Sequence, residues 1–171
     1  MLKSLTAAAA AALSFATVAQ AEITVDHPYA ISAGASAMAG AAFMVIHNSA
    51  DADDQLIDAR ANVSARVELH THIMEDGVAK MRQVEGGFAI PAGGEHMLQR
   101  GADHVMFMGL NAPLVPGEVF DLTLVFRDAG EVVISVPVLT MEEAEAMQGM
   151  DHGQHGAMDH SAMHGTAPAG N

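Results

Sequence analysis

From residue 23 to residue 140 the chain never sustains the three-to-four-residue apolar spacing of an amphipathic helix, and that absence constrains its fold more than any other feature. Short apolar runs follow one another instead, interrupted by Gly, Asp, Asn and Pro. Nine strands are expected, over residues 42–47, 54–59, 64–73, 78–84, 88–90, 96–98, 104–109, 119–126 and 131–138. Turn signals separate them, among them Asp76-Gly77, Pro116-Gly117 and the run at residues 128–130. Strands this short, with turns this frequent, predict an all-β antiparallel sandwich or Greek-key barrel. Val67 and Leu69 alternate with Glu68 and His70, and Val105 and Phe107 alternate with His104 and Met106, so each of these strands has one face for a core.

The flanks differ from this domain. Residues 1–21 carry Lys3, an Ala-rich apolar run and then Ala19-Gln20-Ala21, the pattern of a secretory signal cut after Ala21. The rest, residues 22–171, is therefore expected in the periplasm, without stable membrane insertion. Residues 22–140 read as the β-barrel domain and residues 141–171 as a His/Met-rich tail. Residues 141–146 allow a turn or two of helix, but from residue 147 onward there is no Val, Leu, Ile or Phe to bury, which predicts disorder.

Composition narrows the chemistry. The chain has 13 Met and 10 His but no Cys, so disulfides, thiolate zinc sites, iron–sulfur clusters and thiol nucleophiles are all excluded. A formal charge of −14 repels phosphate backbones, which argues against nucleic-acid binding. Neither a nucleophile–base pair nor a cofactor loop is evident, so an enzyme is not expected.

One constellation stands out within the barrel: His70, Met81, His104 and Met106. His104 and Met106 share a strand face because side chains alternate with period two. If Asp76-Gly77 is a two-residue hairpin loop, Glu75 faces Val78 and His72 lies opposite Met81, with His70 as its diagonal neighbour. His70 and His72 both remain candidates at this point. Thioether and neutral imidazole together prefer Cu(I), a soft cation, whereas zinc favours thiolate or carboxylate and calcium requires oxygen.

The same residues resemble a known family, the periplasmic copper chaperones called PCuAC. Its signature is a His, ten residues, a Met, about 21 or 22 residues, then His-x-Met. The segments HTHIMEDGVAKM, IPAGG and HVMFMGL carry the resemblance, which extends through LTLVFRDAG to VPV. It implies a cupredoxin-like Greek-key barrel and Cu(I) ligation by His70, Met81, His104 and Met106. It also implies delivery of copper toward the copper-bearing subunit of cytochrome c oxidase, beside a Sco-type thiol protein, by a monomer. His72, Met74 and Met108 are read as supporting or packing residues. His96 and Met97 are read as surface, and His27 and His47 as structural.

The tail repeats Met-Asp-His at residues 150–152 and 158–160, and His/Met-rich tracts are a metal-binding composition. His152, His155, His160 and His164 suit Cu(II), and Met147, Met150, Met158 and Met163 suit Cu(I). A periplasmic copper buffer or resistance protein without a dedicated client is therefore the alternative to a carrier.

Overall fold

The computed structural model describes residues 23–154 except 33 and 35, with side chains as far as Met147. The signal segment and the tail positions His155, Met158, His160, Met163 and His164 lie outside the described residues, as do the side chains of Met150 and His152. In order, the strands are β1 (Ile23–Ser32), β2 (Ala39–Asn48), β3 (Asp54–Arg60), β4 (Ser64–Glu75), β5 (Val78–Gln83), β6 (Phe88–Ile90), β7 (Glu95–Leu98), β8 (His104–Leu110), β9 (Val119–Phe126) and β10 (Gly130–Pro137). One helix, α1 (Met141–Gln154), follows. Two antiparallel sheets face each other: β1-β2-β8-β4-β5, with β7 also paired to β2, and β10-β9-β3-β6.

Alternation fills the space between them. Val105, Phe107 and Leu69 point inward from the first sheet, and Leu56, Leu122, Leu124, Phe126 and Val136 meet them from the second; all are buried. The nine expected strands are present, each within a few residues of its expected ends. Strand β1 is an addition to that set, because His27-Pro28 reads as a break in the sequence. A bulge accommodates it: the pairing with β2 shifts register between Asp26 and Tyr29, and His27 takes a φ of 50°.

The helix also runs further than the sequence suggests, where only residues 141–146 are allowed a turn or two before a disordered tail. Thr140 and Glu143 form a reciprocal cap: the Glu143 amide donates to Thr140 Oγ1 at 3.2 Å, and the Thr140 amide donates to Glu143 Oε2 at 2.8 Å. Those bonds from Thr140 hold the Glu143 carboxyl below its ordinary pKa. Ala144 is fully buried against Tyr29 and Phe43, so the helix covers part of the outer face of the first sheet.

Asp54 ties the second sheet together. Burial pushes its pKa up, but amide donors from Gln55, Asp128 and Ala129, at 2.7, 3.0 and 2.9 Å, outweigh that and leave it below the ordinary value. Asp54→Ala is expected to cost about 3 kcal/mol, since it leaves three half-buried amides without their charged acceptor. Calorimetry should show Tm falling by roughly 6–12 °C. Because the folded-state pKa is depressed, this contribution is present at neutral pH and is lost as pH falls below about 4.

Candidate metal centre

The Asp76-Gly77 turn has positive φ at both residues, 52° and 78°, the two-residue geometry that twists with its strands. It sets Glu75 opposite Val78 and therefore His72 opposite Met81, while His70 faces Gln83. On the other side of β4, His70 pairs directly with His104 and Glu68 with Met106. Paired residues share a sheet face, so β4, β5 and β8 bring three imidazoles and two thioethers to the outer face of the first sheet.

A cavity of about 310 Å³ opens there. His72, Met81, His104 and Met106 line it, and Met141 from α1 contributes to its wall. Ala39 and Ala41 on β2 leave the room, because larger side chains on that face of the strand would fill it. His70 does not line the cavity; it lies beside it, with its ring 6.0 Å from that of His104. The His72 ring is closer to His104, at 5.2 Å. Met108 lies against Arg66 instead, 3.8 Å from Nη2, and Met74 is exposed beside the hairpin turn.

Hydrogen bonds fix which nitrogens are free. The Ala102 carbonyl, an acceptor only, takes Nδ1–H of His104 at 2.9 Å and of His72 at 3.4 Å. Each ring therefore keeps the Nε2 lone pair. His70 has the opposite arrangement: its Nε2–H donates to Glu68 Oε2 at 2.9 Å, and its Nδ1 is buried without a partner. An orphaned buried nitrogen whose other ring nitrogen is held by a carboxylate has the form of a metal-ligating histidine.

No three His, Asp or Glu side chains among the described residues are grouped closely enough to hold an ion by themselves. A site here needs Met81 and Met106. The resulting donor set is neutral and soft, which fits Cu(I) and fits zinc or calcium poorly.

His104 is almost entirely buried, although its strand phase suggests a polar face. The reason is a second small core, formed by Tyr29, Phe43 and Ala144, which encloses that face; the Phe43 ring lies 6.1 Å from His104. Burial, opposed by the Ala102 bond and reinforced by His72 and His70, lowers the His104 pKa and keeps the ring neutral. A depressed folded-state pKa means that the metal-free protein is at full stability above about pH 6.5 and loses stability as pH falls below it, until His104 itself protonates in the folded state. Denaturant titrations across this range should show the decline, and His104→Gln should flatten it.

Two further histidines among the described residues make structural contacts. His47 bridges Asp26 and Glu95, at 3.2 and 3.4 Å. His96, expected at the surface, is half-buried: it stacks on Phe88 at 5.2 Å and donates to Asp103 at 2.9 Å. Sequence reasoning missed Glu68, whose signal was available, since it shares a strand face with His70 two residues away. It also missed the Ala102 carbonyl, which no side-chain pattern announces.

Known proteins carry the same architecture. Residues 23–138 match the family model described as LpqE-like. Lxx21020 of Leifsonia xyli subsp. xyli (strain CTCB07), described as a lipoprotein, is 34% identical over 98 residues, which cover 57% of this chain and 59% of that protein. The chain thus spans less than two thirds of the length of that relative. Cu(I)-bound DR1885 from Deinococcus radiodurans superposes with a TM-score of 0.56 at 34% identity, over 72% of this chain and 83% of that one. The copper-bound PCuAC domain from PmoF2 has the same fold, with a TM-score of 0.58 at 24% identity over 71% and 96%.

Proposed function

Since the chain belongs to the LpqE-like family and shares the fold of the PCuAC copper chaperones, we propose that it is an exported copper chaperone that carries Cu(I) in the cavity between β4, β5 and β8. One observation carries this reading: two thioethers and imidazoles with free lone pairs converge on a single cavity in a chain with no thiol. His104, Met106 and Met81 form the common part of the ligand set. The remaining position falls to His70, favoured by the family spacing and its orphaned Nδ1, or to His72, favoured by lining the cavity.

Neutral ligands hold Cu(I) without a thiolate that an oxidising compartment would convert to disulfide. Met81 is 43% exposed, so an incoming ligand can displace its thioether first, which suits a carrier that must release its cargo. This chemistry requires no catalytic group, and the reading is of a carrier and not an enzyme. The client proposed is the copper-bearing subunit of cytochrome c oxidase, with a Sco-type thiol protein beside it. Export through removal of residues 1–21 belongs to the same reading.

Competition titration with a chromophoric Cu(I) chelator tests the site. Of His70→Ala and His72→Ala, the variant that removes a ligand is expected to weaken binding by about 100-fold and the other by about 3-fold or less. The tail's dispersed His and Met favour a second reading, a periplasmic copper buffer. A deletion strain grown at low copper separates the two: loss of oxidase activity supports delivery, and sensitivity confined to high copper supports buffering.

A further inference from the structure

One carbonyl oxygen orients imidazoles from two different strands. His72 on β4 and His104 on β8 both donate Nδ1–H to Ala102, at 3.4 and 2.9 Å. Where that oxygen sits determines which nitrogen each ring presents to the cavity, because a neutral imidazole that loses its acceptor exchanges freely between tautomers.

The position of the oxygen is set by a tight turn. Gln99 N donates to Asp103 O at 2.8 Å, Ala102 N donates to Gln99 O at 3.1 Å, and Gly101 supplies the positive φ of 82°. These backbone bonds close the turn on itself, and its two ends continue into β7 and β8, which pair with β2 and β4. Two side chains brace it further. Arg100 reaches Glu145 of α1 at 3.5 Å, but Glu145 is 67% exposed, so that pair contributes little. The other is Asp103, whose Oδ2 accepts from His96 Nε2 at 2.9 Å with both partners about three-quarters buried. His96 is fixed in turn: its ring stacks on Phe88 at 5.2 Å and 15°, and Phe88 belongs to the core.

We propose that His96 and Asp103 are a positioning pair that holds the Ala102 carbonyl in place and thereby keeps His72 and His104 in the tautomer that offers Nε2 to the cavity. A chain of contacts runs from Phe88 in the core through His96, Asp103 and Ala102 to both rings. Neither member of the pair touches the cargo. The proposal rests on reading the cavity as a metal centre, but the tautomer claim concerns the metal-free protein and stands independently.

The test uses the full chain, without metal, labelled with ¹⁵N and observed by long-range ¹H–¹⁵N correlation at about pH 8, where free imidazole is neutral. In the unmodified protein both His72 and His104 are expected as the Nδ1–H form. Asp103→Ala and His96→Ala should each introduce the Nε2–H form at both rings and weaken Cu(I) binding, measured by chelator competition, by about 10-fold. Asp103→Asn keeps an acceptor for His96 and should retain both the tautomers and the affinity. Tautomer populations unchanged in Asp103→Ala would overturn the proposal. So would equal effects of Asp103→Asn and Asp103→Ala, or loss of the fold in both alanine variants, which would make the pair scaffold. If the tautomers respond as expected while the unmodified chain fails to bind Cu(I), the positioning role stands and the copper reading falls.

Discussion

Met81→Leu combined with Met106→Leu is expected to weaken Cu(I) binding at the sheet site by at least about 1,000-fold, roughly 4 kcal/mol. Leucine nearly conserves the volume of methionine, so packing changes cost less than about 1.5 kcal/mol and the fold should persist. What is lost is both thioethers, and no three His or carboxylate groups among the described residues can replace them. His104→Ala should have a comparable effect on affinity by a different route. That variant removes a buried imidazole whose Nδ1 is held by Ala102, and it leaves a void beside Phe43 and His72. Its Tm should therefore fall as well, while that of the double methionine variant should move little. Chelator competition together with thermal melts distinguishes ligand loss from packing loss.

The largest effect on stability is expected at Gly87, in the turn between β5 and β6. Its φ is +71°, and a Cβ there would lie 2.0 Å from the Leu56 carbonyl oxygen and 3.0 Å from Ile57 Cα. Both are backbone atoms of β3, which cannot rotate aside as a side chain would. Gly87→Ala must therefore push the turn away from β3, and Phe88 leaves the core with it. Left-handed backbone costs a non-glycine residue about 1–2 kcal/mol, and the clash adds about 1–3 kcal/mol. Gly77→Ala is the control. Its φ is +78°, but a Cβ at that position would meet nothing within 4 Å, so only the backbone cost applies. Urea unfolding should show Gly87→Ala destabilised by roughly twice as much as Gly77→Ala, or more.

Much of the site was legible because β-structure obeys a simple geometric rule. Once Asp76-Gly77 is taken as a two-residue turn, counting outward places His72 against Met81, and the pairing found is that one. The facing of Val105 and Phe107 to the core followed equally from alternation. Three features resisted. Strand β1 contains a proline that only a bulge reconciles with pairing, and bulges carry no sequence period. The length of α1 depends on the Thr140–Glu143 cap, a four-residue signal outweighed by the polar composition that follows it. Burial of His104 depends on Tyr29, Phe43 and Ala144, which are remote in sequence and meet only after both sheets and the helix have formed. Long-range coincidences of that kind leave no local pattern.

Whether thioethers hold the cargo is decided by copper K-edge X-ray absorption on the chain whose tail methionines Met147, Met150, Met158 and Met163 are replaced by Leu, loaded with one equivalent of Cu(I). A mixed shell of sulfur and imidazole nitrogen is expected, with the sulfur contribution lost in the Met81→Leu, Met106→Leu double variant. A shell whose sulfur survives that double substitution, or one that contains no sulfur while Met81 and Met106 are intact, would contradict a carrier built on Met81 and Met106.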